Sequence, residues 1–124
     1  YDFFYKRIIF PTFARGIVVH LSGRSFGEHE PKYLHLPGQI KHLYNESALF
    51  EPKVIIAEGA PDCLTLVQHG LPAVGVLGAG GFKPEYSVKF NRCQKIYICF
   101  DPDKSGINGA IKTAEILGEK SLLV

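Results

Sequence analysis

The pattern of apolar and polar positions changes character part-way along the chain. Up to residue 50 the apolar runs are short and interrupted. Lys6 to Phe10 is a β-branched and aromatic run that Pro11 is expected to stop. Gly16 to Leu21 is a second run, reached through Ala14-Arg15-Gly16, which predicts a hairpin with a loop of several residues. Ser22-Gly23-Arg24 and Pro37-Gly38 add further breaks, so residues 1–50 read as a small β-rich subdomain.

From Glu51-Pro52 onward the pattern alternates between strand and helix. Val54 to Ala57 is a continuous apolar run, as expected of a strand covered on both faces. Pro61 to His69 predicts a helix, with Pro61 suited to its first turn and Gly70 to the position after its end. Ala73 to Leu77 and Lys95 to Phe100 read as strands, with a short helix over Pro84 to Phe90 between them. Ile107, Ala110, Ile111, Ala114 and Leu117 then recur at helical spacing until Gly118. Ser121 to Val124 begins a fourth strand. Such alternation predicts an α/β fold over residues 51–124, a parallel sheet flanked by helices with right-handed crossovers.

Composition narrows the class. The chain has 124 residues, 46% apolar and 21% charged, ordinary values for one folded domain with a small flanking unit. A formal charge of +2 offers no broad basic surface. No apolar run approaches the ~20 residues that span a bilayer, and no basic segment leads an apolar one as in a signal peptide. A cytoplasmic protein with no membrane partner is the expected reading. The first residue is Tyr1, which reads as a piece of a longer protein. Cys63, Cys93 and Cys99 form no C-x-x-C pair, which argues against a disulfide framework and a zinc ribbon. His29, His35 and His42 are spread through turns rather than spaced as metal ligands.

In an open parallel sheet, ligands bind beyond the carboxyl ends of the strands. Two predicted strands end in acid. The first leads into Glu58-Gly59, with Asp62 one turn further; the third leads into Asp101-Pro102-Asp103. Each element has an ordinary structural use. Asp62 can offset the dipole of a helix start, and Asp-x-Asp can cap a helix. Together, however, they place several carboxylates on one sheet edge, where their mutual repulsion calls for a divalent cation. Mg²⁺ takes oxygen ligands and commonly one or two protein carboxylates, and phosphoryl transfer is the chemistry that uses it. The stretch Gly75 to Gly81 lacks the third glycine of a dinucleotide fingerprint and contains no Walker motif, but its tight turn can bring backbone N–H groups to a phosphate. Lys104, beside the acidic pair, is a candidate phosphate contact.

These residues resemble a known pattern. Val54-Ile55-Ile56-Ala57-Glu58-Gly59, then Asp62, then Asp101-x-Asp103 followed by Gly106, looks like a Toprim domain. The primase branch of that family fits best, because Arg7-Ile8-Ile9-Phe10-Pro11, Ser22-Gly23-Arg24, Pro31-Lys32-Tyr33-Leu34 and Leu43-Tyr44-Asn45 resemble, in order, segments of the bacterial-type (DnaG-like) primase core upstream of Toprim. The resemblance implies that residues 1–50 are the β-rich N-terminal part of a primase core. Residues 51–124 would be a Toprim domain that ends before the family's second acidic pair. It implies that Glu58, Asp101 and Asp103 are catalytic and bind Mg²⁺ or Mn²⁺, with Asp62 supporting the metal. Arg24, Lys32 and Tyr33 would hold nucleic acid or nucleotide, joining the Lys104 candidate read above from its place beside the acidic pair, and Leu77-Gly78-Ala79 would form the turn after the second strand. The implied reaction joins ribonucleoside triphosphates into an RNA primer on a single-stranded DNA template, with a replicative helicase as a further partner and a phage or other mobile element as a source. A Toprim-type nuclease and a non-catalytic Toprim module that binds nucleic acid or a partner are the alternatives. One departure stands out: the family's Asn after the Pro-Lys-Tyr-Leu segment is His35 here.

Overall fold

The computed structural model describes residues 2–78 and 80–124. Strands β1 (Arg7–Ala14), β2 (Ile17–Ser25) and β3 (Tyr33–His35) form an antiparallel sheet in the order β1-β2-β3. The hairpin departs from the sequence expectation in two ways. β1 continues through Pro11, which pairs with Leu21, and the turn is only Arg15-Gly16. β1 has one neighbour, and an edge strand tolerates the N–H that proline lacks. Arg15 and Gly16 both have positive φ, 53° and 78°, the combination that a two-residue hairpin turn requires. Substituting Gly16 by Ala is expected to destabilise the chain by about 1 kcal/mol through backbone strain alone, because nothing stands within 4 Å of the added Cβ. An unchanged denaturation midpoint would refute that account of the turn.

The second sheet contains β4 (Lys53–Ala57), β5 (Ala73–Gly75), β6 (Lys95–Cys99) and β7 (Ser121–Leu123), in the order β5-β4-β6-β7. Every pairing in it is parallel, as predicted. Helix α1 (Ala60–Gln68) connects β4 to β5, a 3₁₀ segment (Pro84–Phe90) lies between β5 and β6, and α2 (Lys104–Leu117) precedes β7. β5 is shorter than its apolar run suggested. The run leaves the ladder after Gly75, whose backbone N–H and C=O pair with Tyr44.

β4 is central, and its two faces bury different partners. Val54 and Ile56 belong to the main core with Ile96, Ile98, Tyr86, Phe90 and Leu117. Ala57 packs with Cys63 and Ala73 on the α1 side. Leu43, Ala48 and Leu49 join the main core from the end of the first fifty residues. No helix among the described residues is long and apolar enough to cross a membrane.

Chain order and sheet order differ at one place. From β4 the chain moves to β5 on one side, then returns to β6 on the other. The carboxyl ends of β4 and β6 therefore flank a point where the connections diverge, and such crevices are where open α/β sheets bind ligands.

Candidate active site

Glu58 leaves β4 at this crevice. Ala57 pairs with Cys99 in register, so the residues that follow each strand emerge side by side. Gly59 is the N-cap of α1, with extended backbone, and its carbonyl accepts from the Cys63 N–H at 3.1 Å. The end of β5 presses close to this turn. A Cβ on Gly75 would lie 2.9 Å from the Gly59 carbonyl oxygen, so the approach depends on glycine at position 75.

The second acidic set is held by the start of α2. Asp103 is the N-cap: its Oδ1 accepts from the Gly106 N–H at 2.7 Å, and its carbonyl accepts from the Ile107 N–H at 2.9 Å. The capping use considered for Asp-x-Asp is thus real for Asp103. Asp101 stands two residues beyond the end of β6 and is exposed.

Glu58 and Asp101 come together. In the metal-free protein the Glu58 carboxyl is pushed up to about 7, first by burial, then by its hydrogen bond with the Asp101 side chain and the negative charges of Asp101 and Asp103; the Asp101 backbone N–H pulls the other way. Burial and the neighbouring negative charge favour the protonated form of Glu58, and a cation bound there would favour the ionised form instead. Asp62 lies exposed in the first turn of α1 and is not among the charges acting on Glu58. Among the described residues, no three His, Cys, Asp or Glu side chains converge closely enough to form a complete ligand set. The Glu58–Asp101 pair still fits Mg²⁺, a hard cation that commonly takes one or two carboxylates and fills its other positions with water or phosphate oxygens.

Asp103→Asn separates its two uses. Asn caps a helix about as well as Asp, so stability is expected to change by only a few tenths of a kcal/mol, whereas Asp103→Ala should lower it by about 1 kcal/mol. If the Asp103 carboxylate also serves the cation, Mg²⁺ affinity falls in both variants. Thermal unfolding with and without Mg²⁺ measures both effects, and a large loss of stability in Asp103→Asn would contradict the capping account.

The three-stranded sheet brings basic and aromatic groups to the same turn. Arg24 Nε donates to the Tyr33 hydroxyl at 3.2 Å, with its guanidinium 5.7 Å from the Tyr33 ring centroid. That hydroxyl lies 4.0 Å from where a Cβ on Gly59 would stand. Lys32 is exposed, and its carbonyl accepts from the Ser25 N–H and from Arg7 Nη1. His35, the departure from the family pattern, is engaged with His20: Nδ1 and Nε2 stand 3.0 Å apart and the rings stack. Burial lowers both imidazole pKa values, and neighbouring imidazoles lower them further.

A cavity of about 740 Å³ opens beside Glu58. Gly78, Gly80 and Gly81 line it from one side, and Lys104, Asn108 and Lys112 of α2 from another. Gly78 and Gly81 have φ of +83° and +70°, so the expected tight glycine turn is present, although its Ala79 lies outside the described residues. Asn108 and Lys112 were not among the residues singled out from sequence. Their spacing of four from Lys104 was the available signal, once α2 was known to begin at that lysine. A larger groove of about 1070 Å³ runs past Phe13, Tyr44, Phe50 and Leu64 but includes neither Glu58 nor Asp101.

Residues 55–124 match the Toprim-like family, and the chain belongs to that family. The chain is 34% identical over 96 residues to the gene 57 protein of Mycobacterium phage D29, a match covering 76% of this chain and 63% of that one. It is 35% identical over 130 aligned positions to the DNA primase of Thermotoga maritima, covering 94% of this chain but only 23% of the primase. Among solved structures, the DnaG primase catalytic domain bound to ssDNA superposes with a TM-score of 0.79 at 28% identity, over 99% of this chain and 44% of that one. The chain therefore has the fold of part of a primase catalytic core and spans under two-thirds of the length of these relatives.

Proposed function

We propose that this chain is the nucleotidyl-transfer core of a DNA primase, joining ribonucleoside triphosphates into RNA on a single-stranded DNA template. The observation that carries the reading is the approach of Glu58 to Asp101 at the sheet's switch point, with Tyr33, bonded to Arg24, beside the adjoining Gly59. Primases among its relatives, one bound to ssDNA, support the reaction class and the template. On this reading residues 1–50 are the N-terminal part of the core and residues 51–124 its Toprim unit.

Glu58 and Asp101 would hold Mg²⁺ or Mn²⁺, with Asp103 and Asp62 near its approach. Bound there, the ion would offset negative charge on the phosphate and favour an ionised 3′ hydroxyl. The protein's own groups do the rest. Glu58 must release its proton for the pair to become fully anionic, which links activity to pH near 7. Asp103 fixes the start of α2, and with it Lys104, through its cap. Arg24, held by Tyr33, presents a fixed cation to a template or nucleotide phosphate, and Lys32 adds a second from the same sheet. A replicative helicase is the partner expected to deliver the template.

The test uses the full-length parent protein with a single-stranded template, ribonucleotides and Mg²⁺. RNA synthesis that is lost in Asp101→Asn is the expected result. Synthesis that persists in that variant, or cutting of the template in place of copying, would overturn the reading.

A further inference from the structure

β3 is three residues long, and β2 is its single neighbour. From Phe26 to Gln39 every residue is exposed except Leu34 and His35, so little besides β3 holds this stretch down. Short exposed segments of this kind open at low free energy unless side chains fasten them. Side chains two apart on a strand share a face, so Tyr33 and His35 stand on the same side of β3. Each has a partner on β2: Tyr33 bonds Arg24, and His35 bonds His20. The Arg24–Tyr33 contact is exposed, whereas His20 is buried. The imidazole bond is therefore the more sheltered tie, and a sheltered hydrogen bond is the stronger one.

That bond has a defined proton count. With His20 Nε2 and His35 Nδ1 3.0 Å apart, the N–H of one ring donates to the bare nitrogen of the other. One added proton leaves the bond in place, since a charged ring can still donate to a neutral one. Two added protons put an N–H on both facing nitrogens, with the hydrogens about 1 Å apart and two cations in contact, so the rings must part. No neighbour offsets that charge. β1 offers Thr12 opposite His20, and β2 offers Ser22 opposite His35; both are neutral, and the Ser22 hydroxyl already donates to the Phe10 carbonyl. Arg24, on the same face of β2, is a further cation. His42, from the segment after β3, opposes protonation of His20, and Glu46 is engaged with His42 and Lys89. Among the described residues no carboxylate is among the charges acting on either ring.

We propose that His20 and His35 are positioning residues: their hydrogen bond fastens β3 to β2, holds Tyr33 and with it Arg24 beside the Glu58–Gly59 turn, and releases that strand when both rings are protonated. The clamp itself stands on the geometry of the three-stranded sheet. What Tyr33 and Arg24 are positioned for, the phosphates of a nucleic acid, rests on the nucleotidyl-transfer reading.

The sign of the pH effect follows from burial, which keeps both rings neutral at pH 7.5 and pushes their protonation below pH 6.5. Below that value the opened strand binds more protons than the closed one, so closure weakens as pH falls. The experiment follows the full-length parent protein by hydrogen exchange and mass spectrometry, on the peptide spanning Tyr33 to Leu36, at pH 7.5 and pH 5 with intrinsic rates corrected. At pH 7.5 His35→Ala is expected to speed this exchange at least about fivefold, while peptides from β4 and β6 keep wild-type rates. His35→Asn keeps a hydrogen-bonding side chain that does not titrate, and its carbonyl can accept from a protonated His20. It should match wild type within about twofold at pH 7.5, and at pH 5 wild type should exchange at least about fivefold faster than this variant. Affinity for a single-stranded oligodeoxynucleotide at pH 7.5 should fall at least about threefold in His35→Ala, recover in His35→Asn, and show no further loss when His35→Ala is added to Arg24→Gln. Wild-type exchange in His35→Ala, or equal exchange of wild type and His35→Asn at pH 5, overturns the proposal. So does an equal loss of affinity in His35→Ala with and without Arg24, which would detach the pair from the group it is meant to position. Failure of the broader reading looks different: RNA synthesis would survive Asp101→Asn while exchange at β3 still answered both His35 variants.

Discussion

Replacing Glu58 with Gln is expected to lower RNA synthesis by the full-length protein at least about a hundredfold, the scale of losing a group that holds or orients a catalytic ion. The same change should make the metal-free chain more stable above neutral pH. Folding raises the Glu58 carboxyl from 4.5 to about 7, by burial first and Asp101 second. Between those values the folded chain binds more protons than the unfolded one, so stability falls as pH rises through the window. Above it the ionised Glu58 strains the fold in full, and below pH 4.5 the residue is neutral in both states and the effect is gone. Gln carries no such charge. After allowing for solvent screening at a half-buried site, Glu58→Gln should gain on the order of 1 kcal/mol at pH 8 and nothing at pH 4. Mg²⁺ should reverse the order, because it stabilises wild type by mass action and the variant much less. Denaturant midpoints at both pH values, with and without Mg²⁺, measure all of this. A variant no more stable than wild type at pH 8, or one that answers Mg²⁺ equally, would contradict this account of Glu58.

Gly106→Ala is expected to destabilise the chain by about 3 kcal/mol, the upper end of ordinary overpacking, because the obstacle is backbone and cannot rotate aside. A Cβ at Gly106 would run into the Asp101 carbonyl oxygen and lie 2.9 Å from its carbon and 3.1 Å from the Asp101 nitrogen. The reason is space, not conformation, since Gly106 does not have positive φ. Relief requires Asp101 to shift or the first turn of α2 to lift, which breaks the cap from Asp103 and moves the partner of Glu58. Response to Mg²⁺ should fall with stability. Gly109, one turn further along α2, serves as the control. Its added Cβ would sit 3.5 Å from the Phe100 ring, an ordinary contact, so Gly109→Ala should be neutral or raise stability by up to about 1 kcal/mol. Equal behaviour of the two alanine variants would refute the steric account of the Asp101 turn.

The sequence by itself determined the order and type of the elements in residues 51–124, and the strand ends that carry acid. Local signals sufficed there: Val54 to Ala57 is apolar on both faces, Pro61 and Gly70 bracket α1, and Gly118 stops α2. The hairpin was less legible, because Pro11 reads as a stop unless the strand is known to lie at an edge, and edges are a property of the assembled sheet. Tertiary structure alone decided which carboxylates meet. Asp103 looked equivalent to Asp101 in the sequence, yet the register of β4 against β6 brings Asp101 to Glu58, while Asp103 caps α2 with one carboxylate oxygen and acts on Glu58 through its charge, and Asp62 is not among the charges acting on Glu58. It also decided that Tyr33 and Arg24 stand beside Gly59, and that Lys104, Asn108 and Lys112 share a cavity with Glu58. Periodicity is written in neighbours along the chain, whereas a site depends on distances between segments tens of residues apart, and only the packed sheet sets those.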